Sequence, residues 1–235
     1  MTRYILAAVA AAALSTVATS ANAAVLVAGS TGVAPTAGVP AGQGTLLASQ
    51  VTSGQAFTFA ATFNQAVYRN TLGTLDFYFQ VLRTGAGAIS SQEIRSFTVS
   101  DFGAYLVDGY ASGPDPDGAG LFIAANNPTL ANGTPSGSTT SFGRSPSGSV
   151  VTVEFGANGL TGNQNSATYI FRTNATAFNN LGTFGIIDGS TLQGLTYQPT
   201  GAVPEPATWG MMILGFGMIG AASRSRKVKT SVKFA

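Results

Sequence analysis

Asp115-Pro116-Asp117-Gly118 is the local cluster whose residue types and spacing suggest a site, because two carboxylates one residue apart on a tight turn, helped by backbone carbonyls, offer oxygen ligands for calcium. The third ligand position and the distal Glu of a full calcium loop are missing. An ordinary Pro/Gly turn is the competing reading. The remaining acids that could act as a general acid/base pair on a glycosidic bond are Asp76, Glu93, Asp101, Asp108, Glu154 and Asp188. Tyr68, Tyr105 and Tyr110 stand near turns, where a ring either packs into the core or stacks on a sugar.

Other chemistry is excluded by composition. The 235 residues contain no His and no Cys, which removes a Ser-His-Asp triad, a cysteine nucleophile and any His- or Cys-ligated zinc or copper site. Eight acids scattered over a neutral surface read as solvated loop and edge residues, so the expectation is a protein that is not an enzyme and needs no cofactor, with calcium as the alternative. Asn132-Gly133-Thr134 and Asn174-Ala175-Thr176 fit the glycosylation pattern, but such triplets arise by chance in an Asn- and Thr-rich chain.

The elements that must position these groups are strands. Phe57, Phe59, Ala61 and Phe63 alternate with Thr58, Ala60 and Thr62. Leu75, Phe77, Phe79 and Val81 repeat the pattern, as do Val151, Val153 and Phe155, and Ala167, Tyr169 and Phe171. Further strands are expected at 45–51, 94–101, 104–109, 120–124, 183–187 and 192–197, separated by Gly, Asn, Asp, Ser and Pro clusters. About ten strands with turn-rich links predict an all-β body, an antiparallel β-sandwich of jelly-roll or immunoglobulin-like type, with a barrel as the competitor. Residues 24–44 read as an irregular lead-in, 125–148 as a long polar loop, and 198–203 as a linker. Hydrophobic residues make up 45% of the chain, ample for a core without disulfides.

Charged residues are only 9%, and the net charge of +2 is misleading. Every lysine lies in the last dozen residues. Residues 24–203 carry five arginines against eight acids, a net of minus three. A mildly acidic body has no basic groove for phosphates, so nucleic acid is not an expected partner.

The two ends are signals. Arg3, an apolar run from Tyr4 to Val17 and the small residues Ala21 and Ala23 around Asn22 have the layout of a signal peptide over 1–23, a helix read by the secretion machinery and cleaved before Ala24. At the other end, Pro204-Glu205-Pro206 precedes an uncharged stretch, 207–222, and a basic tail, 223–235, containing Arg224, Arg226 and Lys227. As a helix the sixteen uncharged residues span about 24 Å against the ~30 Å hydrocarbon core, a short transmembrane helix that slight thinning or snorkelling arginines would accommodate. Trp209 at one end and the basic cluster at the other orient it with the tail cytoplasmic and the body outward. Gly215-x-Gly217-x-x-Gly220 matches a dinucleotide fingerprint, but no strand precedes it and no acid follows, so close helix approach in the membrane explains it better.

The order of Val203-Pro204-Glu205-Pro206-Ala207-Thr208-Trp209, the apolar run to Gly220 and the arginine-containing end resembles the PEP-CTERM sorting segment, in its PEPxxW subtype. Gly210 stands where the subtype usually has Ala, and the tail is less compact. The resemblance implies processing by an exosortase, a membrane-embedded cysteine protease and transpeptidase, which recognises Pro204, Glu205 and Pro206. It also implies an inner-membrane-anchored precursor, then a place at the cell surface or in the extracellular matrix, associated with exopolysaccharide. The prolines act physically as well: they hold the stretch extended and stop a helix from running back into the body. The expected role is structural, adhesive or exopolysaccharide-associated. A calcium-assisted carbohydrate-binding module and a carboxylate glycosidase are the alternatives.

Overall fold

The computed structural model describes residues 23–126, 140–156, 159–202 and 212–220. The strands are β1 (Ala24–Val25), β2 (Thr36–Ala37), β3 (Thr45–Gln55), β4 (Phe59–Arg69), β5 (Leu75–Ala86), β6 (Ser96–Val99), β7 (Val107–Ser112), β8 (Ser141–Arg144), β9 (Val151–Glu154), β10 (Thr168–Thr173), β11 (Ala175–Asp188) and β12 (Ser190–Ala202). They form a seven-stranded sheet in the order β1-β7-β10-β5-β4-β3, with β2 also on β7, and a five-stranded sheet in the order β12-β11-β6-β9-β8. Pairing is antiparallel except for β2 on β7.

The two sheets share a core rich in phenylalanine. Phe63 of β4 stacks on Phe184 of β11 with ring centroids 4.3 Å apart and meets Phe97 of β6 edge-on at 5.6 Å. Phe77, Phe79, Phe171, Val151 and Val153 are fully buried with them. A polar bridge closes one side. The amide of Gln65, itself fully buried, donates to the Leu195 carbonyl at 3.1 Å and accepts from the Tyr197 N–H at 2.9 Å, doing for β12 what a neighbouring strand would do.

Several expectations need correction. Strict alternation leaves one face of a strand to solvent, yet β4 and β5 lose both faces to the interior over most of their length. Residues 113–126 run as a strap across the outer face of the larger sheet and cover Ala66, Tyr68, Tyr78 and Ile170 with Phe122. Residues 120–124 are this strap and not a strand. Asn64 donates to Leu121, and the Gln80 amide both donates to and accepts from the Ile123 backbone, at 2.6 and 3.1 Å. Phe57 precedes β4 and is exposed instead of joining the inward row.

The long polar loop, expected over 125–148, contains β8, and its Phe142 is fully buried. A single Phe among Gly, Ser and Thr gives too weak a pattern to announce a strand. The lead-in 24–44 supplies β1 and β2, and the expected linker 198–203 is β12 as far as Ala202. The signal segment 1–22 lies outside the described residues. A helix covers 212–220, within the stretch expected to span the membrane, and no helix among the described residues is long and apolar enough to cross one.

Candidate functional site

Acids and aromatics converge on the outer face of the seven-stranded sheet. Cross-strand pairing aligns Tyr68 of β4, Asp76 of β5, Arg172 of β10, Asp108 of β7 and Val25 of β1 in one row. Tyr78 and Tyr110 stand in the next row, on either side of Ile170.

At the centre, Arg172 grips Asp76 with two hydrogen bonds, Nε to Oδ1 at 3.0 Å and Nη2 to Oδ2 at 2.8 Å. Asp76 is wholly buried and takes a further bond from Asn70 Nδ2 at 2.8 Å. Asn70 sits there because it builds the β4–β5 turn: its Oδ1 accepts from the backbone N–H groups of Leu72 and Thr74. The hydrogen bond to Asp76 raises the Arg172 guanidinium further above its ordinary range. Burial pushes the Asp108 carboxyl up, with Arg172 pulling the other way. Leu72, Thr74, Leu106, Thr173 and Asn174 join Asp108 and Arg172 around a cleft of about 240 Å³.

The Asp115–Asp117 turn lies over this face. Asp115 Oδ1 accepts from the N–H groups of Asp117 and Gly118, both at 3.2 Å, and Asp117 Oδ1 from that of Ala119 at 2.9 Å. Asp117 Oδ2 receives the Tyr68 hydroxyl in a short hydrogen bond. Burial first and Asp117 second raise the Tyr68 phenol well above its ordinary value. Burial raises Tyr78 in the same way, and its hydroxyl has no hydrogen-bond partner among the described residues. Among those residues no group of three His, Cys, Asp or Glu is gathered as a metal site.

The other acids do not join this face as a pair. Glu93 is bound to Arg95 near Asp188, at the opposite end of the molecule. Asp188 Oδ2 is buried without a hydrogen-bond partner among the described residues, and burial, then Glu93, raises its carboxyl. Asp101 accepts from Ser100, and Glu154 lies on the outer face of the five-stranded sheet beside Thr152. Of the three tyrosines expected near turns, Tyr68 is buried, while Tyr105 and Tyr110 are half-buried.

Two further groups escaped sequence reasoning. Arg144 is buried and donates to four carbonyl oxygens, those of Leu26, Phe102, Tyr105 and Gly148, at 2.6–2.8 Å. Arg83 donates to the Gln92 and Gly162 carbonyls and to the Ser91 hydroxyl. Sparse arginine in a low-charge chain is the signal that could have marked both.

Pro204, Glu205, Pro206, Trp209, Arg224, Arg226, Lys227 and Ala21 lie outside the described residues. Ala23 is half-buried just ahead of β1. In comparison with known families, residues 202–227 match the PEP-CTERM protein-sorting motif. The match begins on Ala202, the last residue of β12. Comparison with curated proteins and with solved structures finds no match. The chain carries the C-terminal sorting signal of an exported protein, a kind of segment that is generally an exosortase substrate.

Proposed function

We propose that the β body is a structural or adhesive domain with no enzymatic activity, delivered by its sorting segment to the cell envelope or extracellular matrix and associated there with exopolysaccharide. The observation that carries this reading is the sorting motif at 202–227, which starts where β12 ends, so that body and signal are joined directly. The leader over 1–23 sends the chain to the secretion machinery, the 207–222 stretch anchors the precursor with the body outward, and an exosortase cuts near Pro204, Glu205 and Pro206. The body is a sandwich of jelly-roll or immunoglobulin-like type. The state of its charges supports a scaffold over acid–base chemistry: Asp76 is committed to Arg172 and Asn70, and Asp117 to Tyr68 and Ala119.

A calcium-assisted carbohydrate module is a second reading, favoured by Asp115 and Asp117 lying beside Tyr68 on the face that also holds Asp108 and Tyr110. Fractionation of cells expressing the parent chain or a variant with Pro204, Glu205 and Pro206 replaced by Ala tests the first reading. The variant is expected to remain uncut in the membrane, and equal release of both chains would refute it. Calorimetry with calcium and a glycan panel tests the second, which heat from no ligand would sink.

A further inference from the structure

The chain leaves the body at a defined place. Ala202 pairs with Ala175, and the preceding residue, Asn174, lines the cleft between Leu72 and Leu106. Leu72 in the β4–β5 turn and Leu106 just before β7 are 76% and 55% exposed, and Val27 beyond β1 is 64% exposed. Arg69 ends β4 three residues before Leu72, its guanidinium donating to the Gly73 carbonyl. Large apolar side chains are thus presented around the exit point, as Phe57 and Ile89 are at the far end, so it is the short tether that singles out the exit end. The far end holds the β11–β12 turn, where Thr58 meets Asp188 and Ser190.

From Ala202 only residues 203–206 precede the uncharged stretch that starts at Ala207. Four residues reach at most about 14 Å at ~3.3–3.6 Å each. The polar layer on each side of the ~30 Å hydrocarbon core is about 5–7 Å thick. A tether this short keeps the exit end within reach of the headgroups. The helix at 212–220 exposes Ile213, Leu214, Phe216, Met218 and Ile219 by 63–70%, as suits a segment whose surroundings are apolar.

We infer that, in the uncut precursor, this end of the body docks on the lipid bilayer, with Leu72 and Leu106 entering the interface and Arg69 meeting anionic headgroups. The inference rests on the membrane-anchored reading of the sorting segment. It places the Pro-Glu-Pro stretch at the membrane surface, where a membrane-embedded protease can reach it, and gives the exposed leucines an occupant.

The absence of cysteine permits unique labelling sites. Full-length Leu72→Cys and Leu106→Cys chains, and Ile89→Cys at the far end as control, are labelled with an environment-sensitive fluorophore. They are then reconstituted into vesicles of phosphatidylcholine and phosphatidylglycerol containing a spin-labelled quencher lipid. The three positions are exposed, so the labels leave the core intact. Several-fold stronger quenching at 72 and 106 than at 89 is expected. Chains that float with the vesicles but quench equally at all three positions overturn the docking and leave the anchor standing. Chains that fail to float overturn both.

Discussion

Arg172 and Asp76 face each other across β10 and β5 in a two-pronged pair, with Asp76 wholly buried and the arginine side chain 15% exposed. Such a pair adds little net stability, because desolvating two charges offsets most of their attraction. Breaking it is another matter. Asp76→Ala leaves a largely buried guanidinium uncompensated, and urea unfolding should show a loss of about 3–5 kcal/mol. Replacing both residues with Leu should cost less than Asp76→Leu alone.

Phe142 anchors β8 in the core, and its ring passes where a side chain on Gly109 would sit: a Cβ there would lie 2.5 Å from ring carbons. Phe142→Ala should destabilise by about 3–5 kcal/mol. Gly109→Ala should also lower stability, and adding it to Phe142→Ala should cost less than it does in the parent, because the cavity accepts the methyl group.

Arg144 fastens the segment just after β1, the 102–105 loop and the 145–148 turn to one another through carbonyl oxygens. Arg144→Met strands those acceptors, each worth about 1–3 kcal/mol if it finds no water. Arg144→Lys keeps the charge but not the planar fork, and should recover little of the loss. Hydrogen exchange should report opening at residues 26–30 and 102–106 before the sheets.

Asp108 and Asp188 predict a pH dependence of the less common sign. Both carboxyls are raised above 3.8, mainly by burial, so the folded state prefers them protonated. Their contribution to stability is complete below 3.8 and is lost as pH rises through the higher folded values. A variant carrying Asp108→Asn and Asp188→Asn should therefore match the parent Tm at pH 3 and exceed it at pH 7. A Tm at or below the parent at pH 7 would count against this.

The strands with strong alternation, such as Leu75 to Val81 and Val151 to Phe155, were legible because one apolar face repeats every second residue. Residues 113–126 were not. A strap held by Asn64 and Gln80 has no period, and its effect is to bury the opposite face of strands whose polar residues looked solvated. The same reason hid the Asp76–Arg172 pair, since two charges 96 positions apart meet only through the order of strands in the sheet. Asp115 and Asp117 were legible as a turn, whereas their link to Tyr68 was not. The sorting motif was the most legible feature, because its residues follow one another along the chain and match as sequence alone.

The central claim, that the chain is exported and cut at its C-terminal signal, is tested most directly by the intact mass of the protein recovered from the cell surface or the medium. The expected species begins near Ala24, ends close to Pro204–Pro206 and lacks the basic tail with Arg224, Arg226 and Lys227. A surface-recovered chain still carrying residues through Ala235 would contradict it.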